Sequence, residues 1–156
     1  MKTNVLFFMS AMFVCAFAKA QIDFSDASSS LINSDLKSGV AMAVTDMNGD
    51  GLDDIIRLDN ASNLEIEYQQ SDGSFTRTDL GTVNGPWAVT IADVDENGMN
   101  DILVGGFQDG LKLLKADNSG ATFTQEVLDG PGIFLQNANF ADINNDGNID
   151  FFGCHD

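Results

Sequence analysis

Three nine-residue stretches of this 156-residue chain share one grammar: DMNGDGLDD at 46–54, DVDENGMND at 93–101 and DINNDGNID at 142–150. Their first residues lie 47 and 49 positions apart, and a fixed period of this size marks a repeat architecture. The flanks repeat as well. A short alternating segment precedes each motif, GVAMAVT at 39–45, WAVTIA at 87–92 and LQNANFA at 135–141. An apolar segment follows each, IIRL at 55–58, ILVGGF at 102–107 and FFGC at 151–154.

The first two copies continue with LEIEYQQ (64–70) or LKLLKA (111–116), a turn (SDGS or DNSG), and FTRTDL (75–80) or FTQEVL (123–128). Each unit therefore offers four short strands separated by turn residues, with no helical periodicity between them. Residues two and four before each first Asp, Val44 and Met42, Ile91 and Val89, Phe140 and Ala138, share one strand face.

Four strands in a unit of this length predict an all-β fold made of β-propeller blades, each a sheet of four antiparallel strands. The units run over 36–81, 82–130 and 131–156, the last incomplete, so about two and a half blades are present. A blade buries its faces only against neighbours, and propellers have about 4–8 blades; the expectation is an N-terminal piece of a larger ring. Residues 21–35 precede the units, and the weakly patterned stretch 22–32 within them is a candidate ring-closing strand. An open β-solenoid or arc of the same units is the alternative, and a two-sheet sandwich would not require a repeating acidic loop.

Aligned by position, the loops place an oxygen-bearing side chain at 1, 3, 5 and 9 and glycine at 6. These are Asp46, Asn48, Asp50 and Asp54; Asp93, Asp95, Asn97 and Asp101; and Asp142, Asn144, Asp146 and Asp150. Oxygens at alternate positions converge on one centre if the chain curls, and Gly51, Gly98 and Gly147 permit the sharp turn. Position 7, Leu52, Met99 or Asn148, then contributes its backbone carbonyl. An all-oxygen shell suits a hard cation, and its flexibility favours Ca²⁺ over octahedral Mg²⁺. The expected cofactor is Ca²⁺, up to three ions, one per loop. Zinc would want the His or Cys that the loops lack. An EF-hand needs a glutamate at position 12 and helical flanks; here position 12 is Arg57, Val104 or Gly153, between strands. Metal-free Asx turns are the alternative, and they account for one such loop more readily than for three in register.

The motifs DMNGDGLDDII, DVDENGMNDILVGG and DINNDGNIDFF resemble FG-GAP or VCBS-type repeats, the blades of integrin alpha-subunit propellers and of many secreted bacterial proteins. The resemblance covers residues 36–156. It implies a calcium-binding propeller whose metal loop joins the first two strands of each blade. The Phe-Gly and Gly-Ala-Pro signatures are degenerate, with VGGF (104–107) and NGPW (84–87) their nearest remnants.

Ahead of the repeats, Lys2, the apolar run VLFFMSAMFVCAF at 5–17 and Ala18-Lys19-Ala20 have the order of a secretory signal peptide, residues 1–20. The mature chain would start at Gln21, exported to the medium, the cell surface or the periplasm. It would keep one cysteine, Cys154, and five basic side chains against 24 acidic ones, a formal charge of −19. That charge attracts cations and argues against nucleic acid as a partner. No transmembrane segment is visible. The 12 Phe and regular alternation argue against acidic disorder.

The search for catalytic groups finds little. His155 is the single histidine, beside Cys154 in GCHD, and adjacent strand residues point to opposite faces. No phosphate loop, nucleophile elbow or zinc-protease motif occurs. Trp87 is expected to pack in an inner strand between blades rather than to stack on a ligand. The sequence thus reads as a non-catalytic, secreted, calcium-binding module for adhesion, surface binding or scaffolding, its partner an extracellular protein or polysaccharide. The alternatives are an accessory propeller of a secreted hydrolase or lyase whose catalytic part lies beyond Asp156, and an orphan repeat without independent activity.

Overall fold

The computed structural model describes residues 23–32, 39, 41–83, 85–106, 110–128 and 134–155. The expected signal peptide lies outside them. Among the described residues no helix is long and apolar enough to cross a membrane.

Ten strands follow one another: β1 (Met42–Thr45), β2 (Asp54–Asp59), β3 (Asn63–Gln69), β4 (Phe75–Thr82), β5 (Pro86–Ala92), β6 (Asp101–Gly106), β7 (Leu111–Ala116), β8 (Phe123–Leu128), β9 (Leu135–Ala141) and β10 (Asp150–His155). They form two four-stranded antiparallel meanders, β1-β2-β3-β4 and β5-β6-β7-β8, and the pair β9-β10. The fold is all-β and made of propeller-type blades, and the sheets do not close into a ring. Each acidic loop joins the first two strands of its unit.

β5 packs against β1 on one side and β9 on the other, so the leading strands of successive units are neighbours. The sheets stack through alternate faces. Ile56, Leu58, Leu64 and Ile66 of the first sheet bury themselves against Ile102, Val104 and Leu114 of the second, with Val89 and Ile91 packed at the margin. Ala88 of the second sheet meets Leu135 and Ala138 of the third, with Leu111 and Phe151 beside them. Each such aliphatic side chain contributes about 1.5–3 kcal/mol when fully removed from water. The face bearing Val89 and Ile91 is thus turned toward the preceding unit. On the first unit no sheet among the described residues precedes the same face, and Met42 and Val44 are 58% and 57% exposed.

That outer face differs chemically from its counterparts. Where β6 and β7 carry Val104, Lys112 and Leu114, β2 and β3 carry Arg57, Glu65 and Glu67 at the same register. All three charged side chains are buried. Arg57 Nη2 lies 2.8 Å from Glu65 and 2.5 Å from Glu67, and Arg77 adds a contact of 3.2 Å to Glu65. The Ile32 backbone N–H donates to Glu67 Oε2 at 3.4 Å.

Two sequence expectations change. The candidate ring-closing strand at 22–32 forms no strand over its described residues 23–32, only a 3-10 turn at Ser28–Ser30. Trp87 is 47% exposed rather than enclosed between blades. A bulge between Pro86 and Ala88 takes it out of register with β6, and its ring meets Phe134 edge-on at 5.0 Å. The degenerate signatures gain a reason, because Pro86 pairs with Gly106. A Cβ on Gly106 would lie 2.5 Å from the Gly85 carbonyl oxygen and 2.6 Å from Pro86 Cα, so the two remnants meet where only glycine fits.

Candidate metal centre

The loops build themselves around their first aspartate. Asp46 accepts backbone N–H bonds from Gly49, Asp50 and Gly51 at 2.8, 3.2 and 2.8 Å. Asp93 accepts from Asn97 and Gly98 at 3.0 and 2.8 Å, and Asp142 from Asp146 and Gly147 at 3.0 and 2.9 Å. The curl passes through a left-handed glycine at position 6, with φ of 85° at Gly51, 89° at Gly98 and 91° at Gly147, a region that side chains with a Cβ disfavour. Position 4 is left-handed too. Gly49 takes it without strain, whereas Glu96 and Asn145 hold φ of 59°. The Glu96 side chain, for which the sequence suggested no ligand role, is exposed.

Position 5 closes the next turn. Asp50, Asn97 and Asp146 each accept the N–H of position 7, Leu52, Met99 or Asn148, at 2.8 Å.

Position 9 has a second job that the sequence did not reveal. Asp54 and Asp101 are fully buried. One oxygen of each accepts the N–H of loop position 2, Met47 at 2.8 Å or Val94 at 2.9 Å. The other accepts an N–H of the third strand, Gln69 at 2.9 Å or Ala116 at 2.8 Å. The carboxylate therefore latches the loop to β3 or β7. Asp150 makes the first of these bonds, to Ile143 at 3.0 Å. The identical 15-residue interval from Asp54 to Gln69 and from Asp101 to Ala116 is a signal that could have pointed to this pairing.

The charge states follow the surroundings. Burial pushes the Asp54 and Asp101 carboxyls up, against the pull of their two backbone donors, and the neighbouring carboxylates Asp50 and Asp46, or Asp95 and Asp93, push the same way. Burial also acts on Asp46, but bonds from Gly51, Gly49, Asp50 and Asn48 outweigh it and hold that carboxyl below its ordinary range. Asp146 is lowered by its bonds from Asn148 and Asn144.

The three loops differ in how far their carboxylates are gathered. Oxygens of Asp93, Asp95 and Asp101 lie within 4.8 Å of one another, with Asn97 held in the same curl. Asn97 donates its amide to the Ala116 carbonyl at 2.9 Å, and its Oδ1 stays within the loop. No other group of three acidic, His or Cys side chains is drawn together this way among the described residues. In the first loop Asn48 donates to Asp50 at 3.1 Å, and in the third Asn144 donates to Asp146 at 3.0 Å. An amide at position 3 thus engages the position 5 carboxylate, whereas the second loop carries a carboxylate, Asp95, at position 3 and an amide, Asn97, at position 5. Three convergent carboxylates with an amide oxygen and a carbonyl form a hard donor set that fits Ca²⁺. A cation there would relieve the repulsion among them.

Outside the loops, Cys154 is exposed. Tyr68 donates to the Gly120 carbonyl at 3.3 Å, and burial with the nearby Asp54 charge pushes its hydroxyl up to about 12. No pairing of these groups forms a catalytic constellation among the described residues. The sequence model of the FG-GAP-like repeat matches the chain over residues 46–104 and again over 93–153, each match opening on a position 1 aspartate. No curated protein matches the chain.

Proposed function

Because the chain belongs to the FG-GAP-like repeat family, we propose that it is an exported, calcium-binding blade module that serves adhesion, surface binding or scaffolding without catalysis of its own. The carrying observation is the convergence of Asp93, Asp95 and Asp101 within 4.8 Å, in a loop whose pattern recurs twice. Bound Ca²⁺ supplies electrostatic cross-linking: Asp93, Asp95, Asn97, the Met99 carbonyl and Asp101 would hold it in the second loop. The equivalent residues of the other loops would hold up to two more. Since Asp101 is already bonded to β7, an ion there would tie the first, second and third strands of its blade together. The partner class that suits an exported, strongly acidic surface is an extracellular protein or polysaccharide rather than nucleic acid.

Calorimetric titration of the full chain with Ca²⁺, with Mg²⁺ as competitor, tests the reading. Ca²⁺ should bind in preference to Mg²⁺, and Asp95→Ala, at an exposed position, should remove one ion from the stoichiometry. Absence of Ca²⁺ binding, or an unchanged stoichiometry in the variant, would refute it.

A further inference from the structure

We propose that the first two loops bind as a coupled pair, and that Asn100 is the positioning residue that links them. This rests on the calcium reading above and adds a regulatory property to it. Asn100 is position 8 of the second loop, between the expected ligands Met99 and Asp101. Its side-chain amide donates to the Asp46 backbone carbonyl at 2.8 Å, across the blade boundary to position 1 of the first loop.

Met99 makes a second link. Its sulfur approaches Gly120 of the β7–β8 turn so closely that a Cβ there would lie 3.1 Å from it, 3.0 Å from the Met47 carbonyl oxygen and 3.3 Å from Asn48 Cα. Its terminal methyl would lie 3.7 Å from a Cβ on Gly49. Positions 1 to 4 of the first loop therefore rest on positions 7 and 8 of the second and on the second blade's outer turn. Gathering the Met99 carbonyl and Asp101 around an ion fixes residues 99–100, and those residues hold Asp46. Order in one loop is thus prepaid for the other, which gives positive coupling without a change of fold. Linkage makes the effect reciprocal. In the third loop position 8 is Ile149, whose side chain has no donor to offer the second loop, so this side-chain link has no counterpart there.

The test is a double-mutant cycle on the full chain, titrated with Ca²⁺ and read by NMR at the Gly51 and Gly98 amides, which donate to the position 1 carboxylates of their own loops. Asp95→Ala disables the second loop. It should weaken Ca²⁺ binding at Gly51 on the order of 5–150-fold, the usual range of coupling between sites. In an Asn100→Ala background that factor should fall toward one while Gly51 still responds to Ca²⁺. Asn100→Asp, close in shape but without the donor, should do the same and serves if the alanine variant does not fold. A factor equal in both backgrounds, or no factor with Asn100 intact, overturns the coupling while leaving calcium binding standing. No response at either glycine removes the calcium reading and the coupling with it.

Discussion

At the scale of single residues, position 9 of the acidic loop separates two roles that one carboxylate performs. Asp101 receives an N–H from Val94 and another from Ala116 with its two oxygens, and it is fully buried. Asparagine at this site keeps the shape but turns one acceptor into a donor aimed at a backbone N–H. Leaving a buried group unsatisfied costs about 1–3 kcal/mol. Asp101→Asn should therefore lower stability by that amount in urea denaturation even with chelator present. A loss seen only when Ca²⁺ is present would mean that the side chain is a ligand and not a latch. The loop's curl was legible in the sequence because Asp at 1 and Gly at 6 act within nine residues. The latch was not, because its second partner is 15 residues away on another strand.

At the scale of the element, the strands were legible for the same reason that the loops were: alternation and turn chemistry are local. Leu111–Ala116, Phe123–Leu128 and Leu135–Ala141 begin and end where the pattern placed them. Which face of a strand is covered depends on the neighbouring sheet. Arg57, Glu65 and Glu67, charged side chains that the sequence analysis left without a place, are buried together. Buried ion clusters of this kind are weak contributors to stability, but removing one partner leaves an uncompensated charge.

Within that cluster burial raises the Glu65 carboxyl above its ordinary value of 4.5, against the pull of Arg57 and Arg77. A raised carboxyl favours the folded state in its protonated form. Its contribution is fully present below the ordinary value and is lost as pH rises through the folded one. Glu65→Gln removes this titration. Thermal melts of the two proteins between pH 4 and pH 7 should show their difference moving in favour of the glutamine variant as pH rises. Movement toward the wild type would mean that the arginines, not burial, dominate the site.

At the scale of the whole molecule, the sequence carries a formal charge of −17, with much of the acid concentrated in three loops at the head of each second strand. Self-repulsion at that density opposes the compact state, while the apolar sheet interfaces of Ile56, Leu64, Ile102 and Leu114 favour it. A cation in each loop would relieve the repulsion and stitch the strands of a blade together, so the chain's stability should depend on calcium more than on ionic strength. We propose, in short, that the acidic repeat is a set of calcium cages.

Thermal unfolding of the full chain in excess chelator, in Mg²⁺ and in Ca²⁺, at matched ionic strength, tests this most directly. Each site filled at 100 times its Kd adds about 2.7 kcal/mol to the folded state, and a domain of this size gains about 2–4 °C per kcal/mol. The expected result is a rise of several degrees per occupied loop in Ca²⁺ and a much smaller one in Mg²⁺. Coincident transitions in all three solutions would contradict the account and leave the loops as turns alone.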